Sequence, residues 1–220
     1  MAETRSVDTR ERILDAAERL FTDNGFDGTS MRQITGAAGV NLASVNYHFG
    51  SKEALMREVF RRRLAWLNTE RLRVLDEMEQ KAGDKPLKPS QIVEGFFGTL
   101  LSMAQDESRG GVTFLRLLGR TLTDPADFIR TFLADEYQQV VERYKAALFK
   151  ALPNVPRAEI AWRFHFMLGA TSYAIAGTDA LRLVTDWQVE DEDATDRLDR
   201  LPQRLMSFLL GGLRAPLPNF

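Results

Sequence analysis

With 220 residues, 44% of them hydrophobic and 27% charged, the chain can bury a sizeable core and has the composition of a globular protein. It holds no cysteine, which excludes disulfides and thiolate metal sites. The formal net charge is -2, with 10 Lys and Arg against 9 Asp and Glu up to Arg63, so bulk attraction to nucleic acid is excluded. Any such binding must come from local placement of a few basic and polar groups.

The opening MAETRSVDTRER is charged from residue 3, unlike a signal peptide, and cytoplasmic residence is expected. Asp8 followed by Glu11 predicts a capping-box start to the first helix, and Ile13, Leu14, Ala17, Leu20 and Phe21 form its apolar face. Gly25 is its expected stop. Thr29 or Ser30 can cap a short helix over Met31 to Ala38, and Asn41 a second over Leu42 to His48, with Gly39 between them. Gly50 and Ser51 restart the chain into a long helix whose apolar stripe runs Leu55, Val59, Phe60, Leu64, Leu67, Leu75, Met78. Within it, Arg61, Arg62 and Arg63 read as a solvated basic face. Lys81 to Ser90 is a polar, proline-bearing connection. Beyond it, Ile92–Met103, Val112–Leu122, Ala126–Leu152, Pro156–Gly177 and Ala194–Leu213 read as helices richer in Phe, Leu and Met. Trp187 to Thr195 forms an acidic loop; its Glu190, Asp191, Glu192 and Asp193 lack ligand spacing, so no metal site is expected. No sustained apolar/polar alternation interrupts this pattern, and the fold class is all-α. The longest near-apolar run, Phe164 to Gly177, falls short of the roughly 20 residues that span a bilayer, so no membrane partner is expected.

The segment Thr29 to Phe49, TSMRQITGAAGVNLASVNYHF, has the dimensions of a helix-turn-helix. Ala37 and Ala38 permit close approach, and Ile34, Val40 and Val45 are spaced to pack inward. That leaves Asn41, Leu42, Ala43, Ser44, Asn46, Tyr47 and His48 for the outer face and ends of the second helix. Short polar and methyl-bearing groups there suit base edges: Asn46 can pair bidentately with adenine, and Ala43 can touch a thymine methyl. Thr29 and Ser30, at the start of the preceding helix, join the DNA-facing set.

Residues 8 to 55 resemble the N-terminal signature of the TetR family of repressors, through RILDAAERLF, the GF.GTSMRQI that follows, AAGV at the turn and YHFGSKEAL. The resemblance implies a three-helix helix-turn-helix domain over residues 1–50, a connecting helix over 51–80, and a larger helical ligand-binding and dimerisation domain over 81–220. It implies base or phosphate contacts for Arg32, Ser44, Tyr47 and His48, and a phosphate contact for Lys52. Many members carry Tyr where this chain has Asn46, which favours base reading there. The implied function is a transcriptional regulator released as a homodimer from a palindromic operator in double-stranded DNA by a small apolar effector. The string VNLASVNYHFGSKEAL is also similar to a branch that responds to fatty acids or acyl-CoA.

For an effector pocket the candidates are Phe96, Phe97, Leu100, Met103, Phe114, Leu117, Leu118, Phe128, Phe132, Phe164 and Met167, chosen for their density of flexible and aromatic apolar groups. Arg116, Arg120 or Arg130 could meet an anionic head group. For the dimer, Ala161, Phe164, Leu168, Ser172, Ala176, Leu205, Phe208, Leu209 and Leu213 offer apolar surface on two helices that could form a four-helix bundle. With two histidines, no cysteine, no Gly-rich phosphate loop and no His-Glu-x-x-His pair, no catalytic residue and no cofactor is expected, so an enzyme is the weaker class. A helical adapter responding to a protein is the other rival.

Overall fold

A computed structural model describes residues 2–123, 125–177 and 193–217. Every described element is helical and no strand occurs among them, as the apolar periodicities require. The first helix, α1 (Ala2–Asn24), starts well before Asp8, so Asp8 and Glu11 are interior residues and not a cap. It ends where Gly25 takes φ +74°. Ile13, Leu14, Ala16, Ala17 and Phe21 are buried along one face.

Two short helices pack on α1. Helix α2 (Met31–Ala38) begins at a full capping box, with the Ser30 hydroxyl accepting from the Gln33 N–H and Gln33 Oε1 accepting from the Ser30 N–H. Helix α3 (Leu42–Phe49) is capped by Asn41, whose Oδ1 accepts from the Ser44 N–H at 2.8 Å. Ser51 caps α4 (Lys52–Ala82), accepting from the Ala54 N–H. At 1.5 Å per residue α4 is roughly 46 Å long. Its first turns pack on α1 and α3 and its later turns on α8.

The chain then forms α5 (Pro89–Val93), a π-helical turn (Glu94–Gly98) and α6 (Thr99–Ser102), followed by α7 (Gly111–Thr123), α8 (Asp127–Ala151), α9 (Arg157–Ile175) and α10 (Asp193–Leu213). One continuous apolar core runs from Ile13 to Leu213 through both ends of the molecule. Helix α4 is not the sole link between them, because α7 lies directly against α1 as well as α9. Arg120 donates to the Thr22 carbonyl at 2.5 Å, and the Phe60 and Phe114 rings meet edge-on at 5.8 Å. The acidic stretch of Glu190, Asp191, Glu192 and Asp193 lies outside the described side chains.

Candidate nucleic-acid interface and ligand cavity

Two features fix the turn between α2 and α3. Gly39 adopts φ +62°, which only glycine takes without strain, and a Cβ there would lie 2.9 Å from Arg12 Nη2. That Arg12 nitrogen donates to the Ala38 carbonyl at 2.5 Å and the Gly39 carbonyl at 3.2 Å, satisfying acceptors that the end of α2 leaves open. With the turn fixed, Val45 and Phe49 point inward and are buried. The opposite face of α3 is therefore bare: Asn41, Leu42, Ala43, Asn46 and Tyr47 are exposed, and Ser44 and His48 are half-buried at its edges. Tyr47 is 85% exposed, with only the edge of the His48 ring beside it at 5.2 Å. Ser30 and Arg32 are exposed on the neighbouring α2.

Two residues expected at the DNA surface are committed elsewhere. Thr29 is 1% exposed, and its hydroxyl bonds to the Leu20 and Gly25 carbonyls at 3.0 and 2.7 Å, so it ties the α1–α2 turn and its side chain cannot reach DNA. Lys52 donates to the Phe26 and Thr29 carbonyls at 2.9 and 3.0 Å and sits 4.2 Å from the Phe26 ring centroid. Two of its three donors thus hold the same turn, and only one is left for a phosphate.

The triple arginine is not a solvated face. Arg61 is half-exposed and pairs with Glu58 and Glu136. Arg62 reaches back to Glu11, Asp15 and Glu18 on α1, and Arg63 to Glu18 at 2.9 Å and the Ser108 carbonyl at 2.9 Å. Glu18 is 3% exposed and serves both arginines. Burial works against the Arg62 charge, but the Asp15 hydrogen bond and the Glu18 charge outweigh it and raise its pKa. This cluster locks α1, α4 and the segment before α7 together.

Deeper in the larger half, α4, the π-helical turn, α6, α7, α8 and α9 enclose a cavity of about 210 Å³. Phe96, Phe97 and Leu100 line it as expected. The other eight apolar candidates do not, because a density of apolar groups does not reveal which side of each helix faces the cavity. Met103, Leu117, Leu118 and Met167 fill the core. Phe114 packs on Phe60, Phe128 on Phe26 at 4.7 Å, Phe132 under Arg61, and Phe164 behind Phe96 at 5.0 Å. None of the three proposed head-group arginines lines the cavity either. Arg120 holds Thr22, Arg130 lies by the Pro125 carbonyl, and Arg116 packs near Gly177.

The cationic lining residue is Arg71, outside the expected set. Arg71, on α4, is 1% exposed; its Nε donates to the Phe96 carbonyl at 2.9 Å and its guanidinium lies 3.8 Å from the Phe96 ring centroid. Tyr137, Thr171 and Ser172 add polar groups to the lining, and no carboxylate does. Burial lowers the Arg71 pKa, and burial raises that of the Tyr137 phenol. Tyr144, whose hydroxyl donates to the Arg71 carbonyl at 2.7 Å, is pushed up to about 12 by burial.

The expected dimer residues lie mostly on the inner side of their helices. Ser172, Ala176, Leu205, Leu209 and Leu213 are buried in the protomer, Leu168 lines the cavity and Phe164 packs on Phe96, while Ala161 and Phe208 are exposed. The outward stripe of α9 is instead Trp162, Phe166 and Tyr173, joined by Phe208 of α10.

A helix-turn-helix with a bare second helix, built onto a helical body with an internal cavity, defines the class of helix-turn-helix transcriptional regulators. Residues 13–59 match the model of bacterial regulatory proteins of the tetR family, and residues 94–212 match the tetracyclin repressor-like C-terminal domain. Among curated relatives, the repressor KstR2 of Mycolicibacterium smegmatis is 37% identical over 67 residues, 30% of this chain and 33% of that protein. The alignments with the curated relatives span only about a quarter to a third of their lengths. Whole-chain likeness comes from solved structures. The probable transcriptional regulatory protein RHA5900 has a TM-score of 0.59 at 23% identity, covering 94% of this chain and 100% of that one. FadR of Bacillus subtilis, solved with stearoyl-CoA, has a TM-score of 0.56 at 13% identity, covering 92% and 98%. The chain belongs to the TetR family. It is accordingly a DNA-binding regulator and not an enzyme. Among the described residues no helix is long and apolar enough to cross a membrane.

Proposed function

We propose that this protein is a repressor that binds a palindromic operator as a homodimer and is released by a small apolar effector held in the α4–α9 cavity. The division of labour is a DNA-binding unit over residues 1–50, a connecting helix over 51–80 and an effector and dimer domain beyond it. The observation that carries the DNA reading is the outer face of α3. An exposed Tyr47 beside Asn46, Ala43, Leu42 and Asn41, on a helix held rigid by two caps and Arg12, has no structural purpose within the chain. In a major groove the same groups reach base edges, with Arg32, Ser30, Ser44, His48 and the remaining Lys52 donor flanking them for phosphates.

The dimer reading rests on Trp162, Phe166, Tyr173 and Phe208, an aromatic face left open on α9 and α10. A second copy of the same face closes it isologously, and two-fold symmetry in the protein demands two-fold symmetry in the operator. The effector reading rests on the apolar cavity, and the stearoyl-CoA held by FadR points to an acyl compound. Selection of bound duplexes from a random pool tests the reading. Enrichment of an inverted repeat with half-sites about one or more helical turns apart is expected. Recovery of isolated half-sites, with a monomer by light scattering, contradicts it.

A further inference from the structure

Four buried side-chain atoms among the described residues lack a hydrogen-bond partner: Arg62 Nε, Asn68 Oδ1, Arg71 Nη1 and the Thr171 hydroxyl. The last two belong to residues that line the same cavity. Buried polar groups are normally paired, and a buried cation without a counter-ion is strongly unfavourable. Arginine does not escape by losing its proton, since its intrinsic pKa is too high. No carboxylate lines the cavity; the Tyr137 hydroxyl interacts with the guanidinium but brings no negative charge, because burial raises its pKa. The side chain is also held in place: Nε is fixed on the Phe96 carbonyl of the π-helical turn and the guanidinium plane is backed by the Phe96 ring, which leaves Nη1 free. A π-helical turn at such a position is a common mark of a functional site.

Resting on the effector reading above, we infer that the ligand of this cavity is a carboxylic acid with an apolar body, bound with its carboxylate buried against Arg71 and the Thr171 hydroxyl. A carboxylate accepts from the guanidinium and the hydroxyl together, satisfying both orphaned donors and supplying the missing negative charge. The rest of the lining, Phe97, Leu100, Leu122, Leu133 and Ile175 among it, suits a hydrocarbon chain or ring. The volume of about 210 Å³ lies below the roughly 300–1,000 Å³ of pockets that enclose drug-sized ligands. An acyl-CoA presents a neutral thioester at this end of its chain and a nucleotide far larger than the cavity, so the free acid is the better match.

The test is calorimetric titration and thermal shift of the full chain with octanoate, decanoate and dodecanoate, with methyl decanoate, and with decanoyl-CoA. The acids are expected to bind at least tenfold more tightly than the ester and the thioester, the margin of one charge-assisted hydrogen bond. In Arg71→Met, which removes the charge at similar volume, acid and ester affinities should converge within about threefold. Thr171→Val should narrow the gap by a few-fold while leaving the melting temperature unchanged, and it carries the test if Arg71→Met does not fold. Ester or thioester binding as tight as the acid in the wild type overturns the carboxylate inference and leaves the effector cavity standing. Binding of none of these probes overturns both.

Discussion

Helix α4 turns arginines against neighbouring helices in two places, roughly 13 Å apart along its axis, and they are handled in opposite ways. At Arg62 and Arg63 the sequence supplies acids: Glu18 is buried between them, and Glu11 and Asp15 complete the set. At Arg71 it supplies a carbonyl, a phenylalanine ring and no acid at all. The first arrangement sets three acids against two arginines, so it holds α1 to α4. The second is charged and incomplete, so it receives something from outside. An arginine's burial says little about its role; the presence or absence of a counter-charge decides it.

Removing the counter-charge at the first place should make it resemble the second, at a large cost. Glu18→Ala leaves two largely buried guanidiniums short of an acid and is expected to lower stability by roughly 3–5 kcal/mol in urea unfolding. Arg71→Met, by contrast, removes a charge that nothing neutralises and should stay within about 1.5 kcal/mol of wild type. A cost for Arg71→Met equal to that of Glu18→Ala would break the comparison. Gly110→Ala probes the lock from another side. Gly110 sits at φ +106°, where a Cβ would lie 2.6 Å from that of Phe114 and 3.0 Å from Arg63 Nε. About 1–3 kcal/mol should be lost, with Tm as the readout. The smallest stability effect separates the two threonine and tyrosine roles near the DNA face. Thr29→Val should cost about 1–2 kcal/mol for the buried hydroxyl proton shared between the Leu20 and Gly25 carbonyls, whereas Tyr47→Ala should move stability by less than about 0.5 kcal/mol.

The helices and the helix-turn-helix were legible because local signals were strong. Gly25, Gly39, Ser30, Asn41 and Ser51 punctuate the chain where the structure bends or caps it. The outward face of α3 followed from the inward spacing of Ile34, Val40 and Val45. What failed required knowledge of how the chain turns back on itself. Thr29 and Lys52 are spent on carbonyls of one turn, and Arg62 and Arg63 find their acids more than 40 positions away. Phe114 and Phe132 share in the apolar density of the larger half, but which side of a helix meets a cavity depends on neighbouring helices. Arg71 did leave a trace: it occupies the position in the Leu64, Leu67, Leu75, Met78 stripe where the next apolar residue belongs. A charge in register with a core stripe was the signal to follow.

The proposed DNA reading by the outer face of α3 is tested most sharply by fluorescence anisotropy on the duplex enriched from a random pool. Wild type, Asn46→Ala and Tyr47→Ala should be compared at one fixed salt concentration, each with its melting temperature. A loss of roughly 1–3 kcal/mol in affinity is expected for each variant, with changed preference at single base positions for Asn46→Ala and unchanged melting temperatures. Affinities equal to wild type for both variants would contradict it.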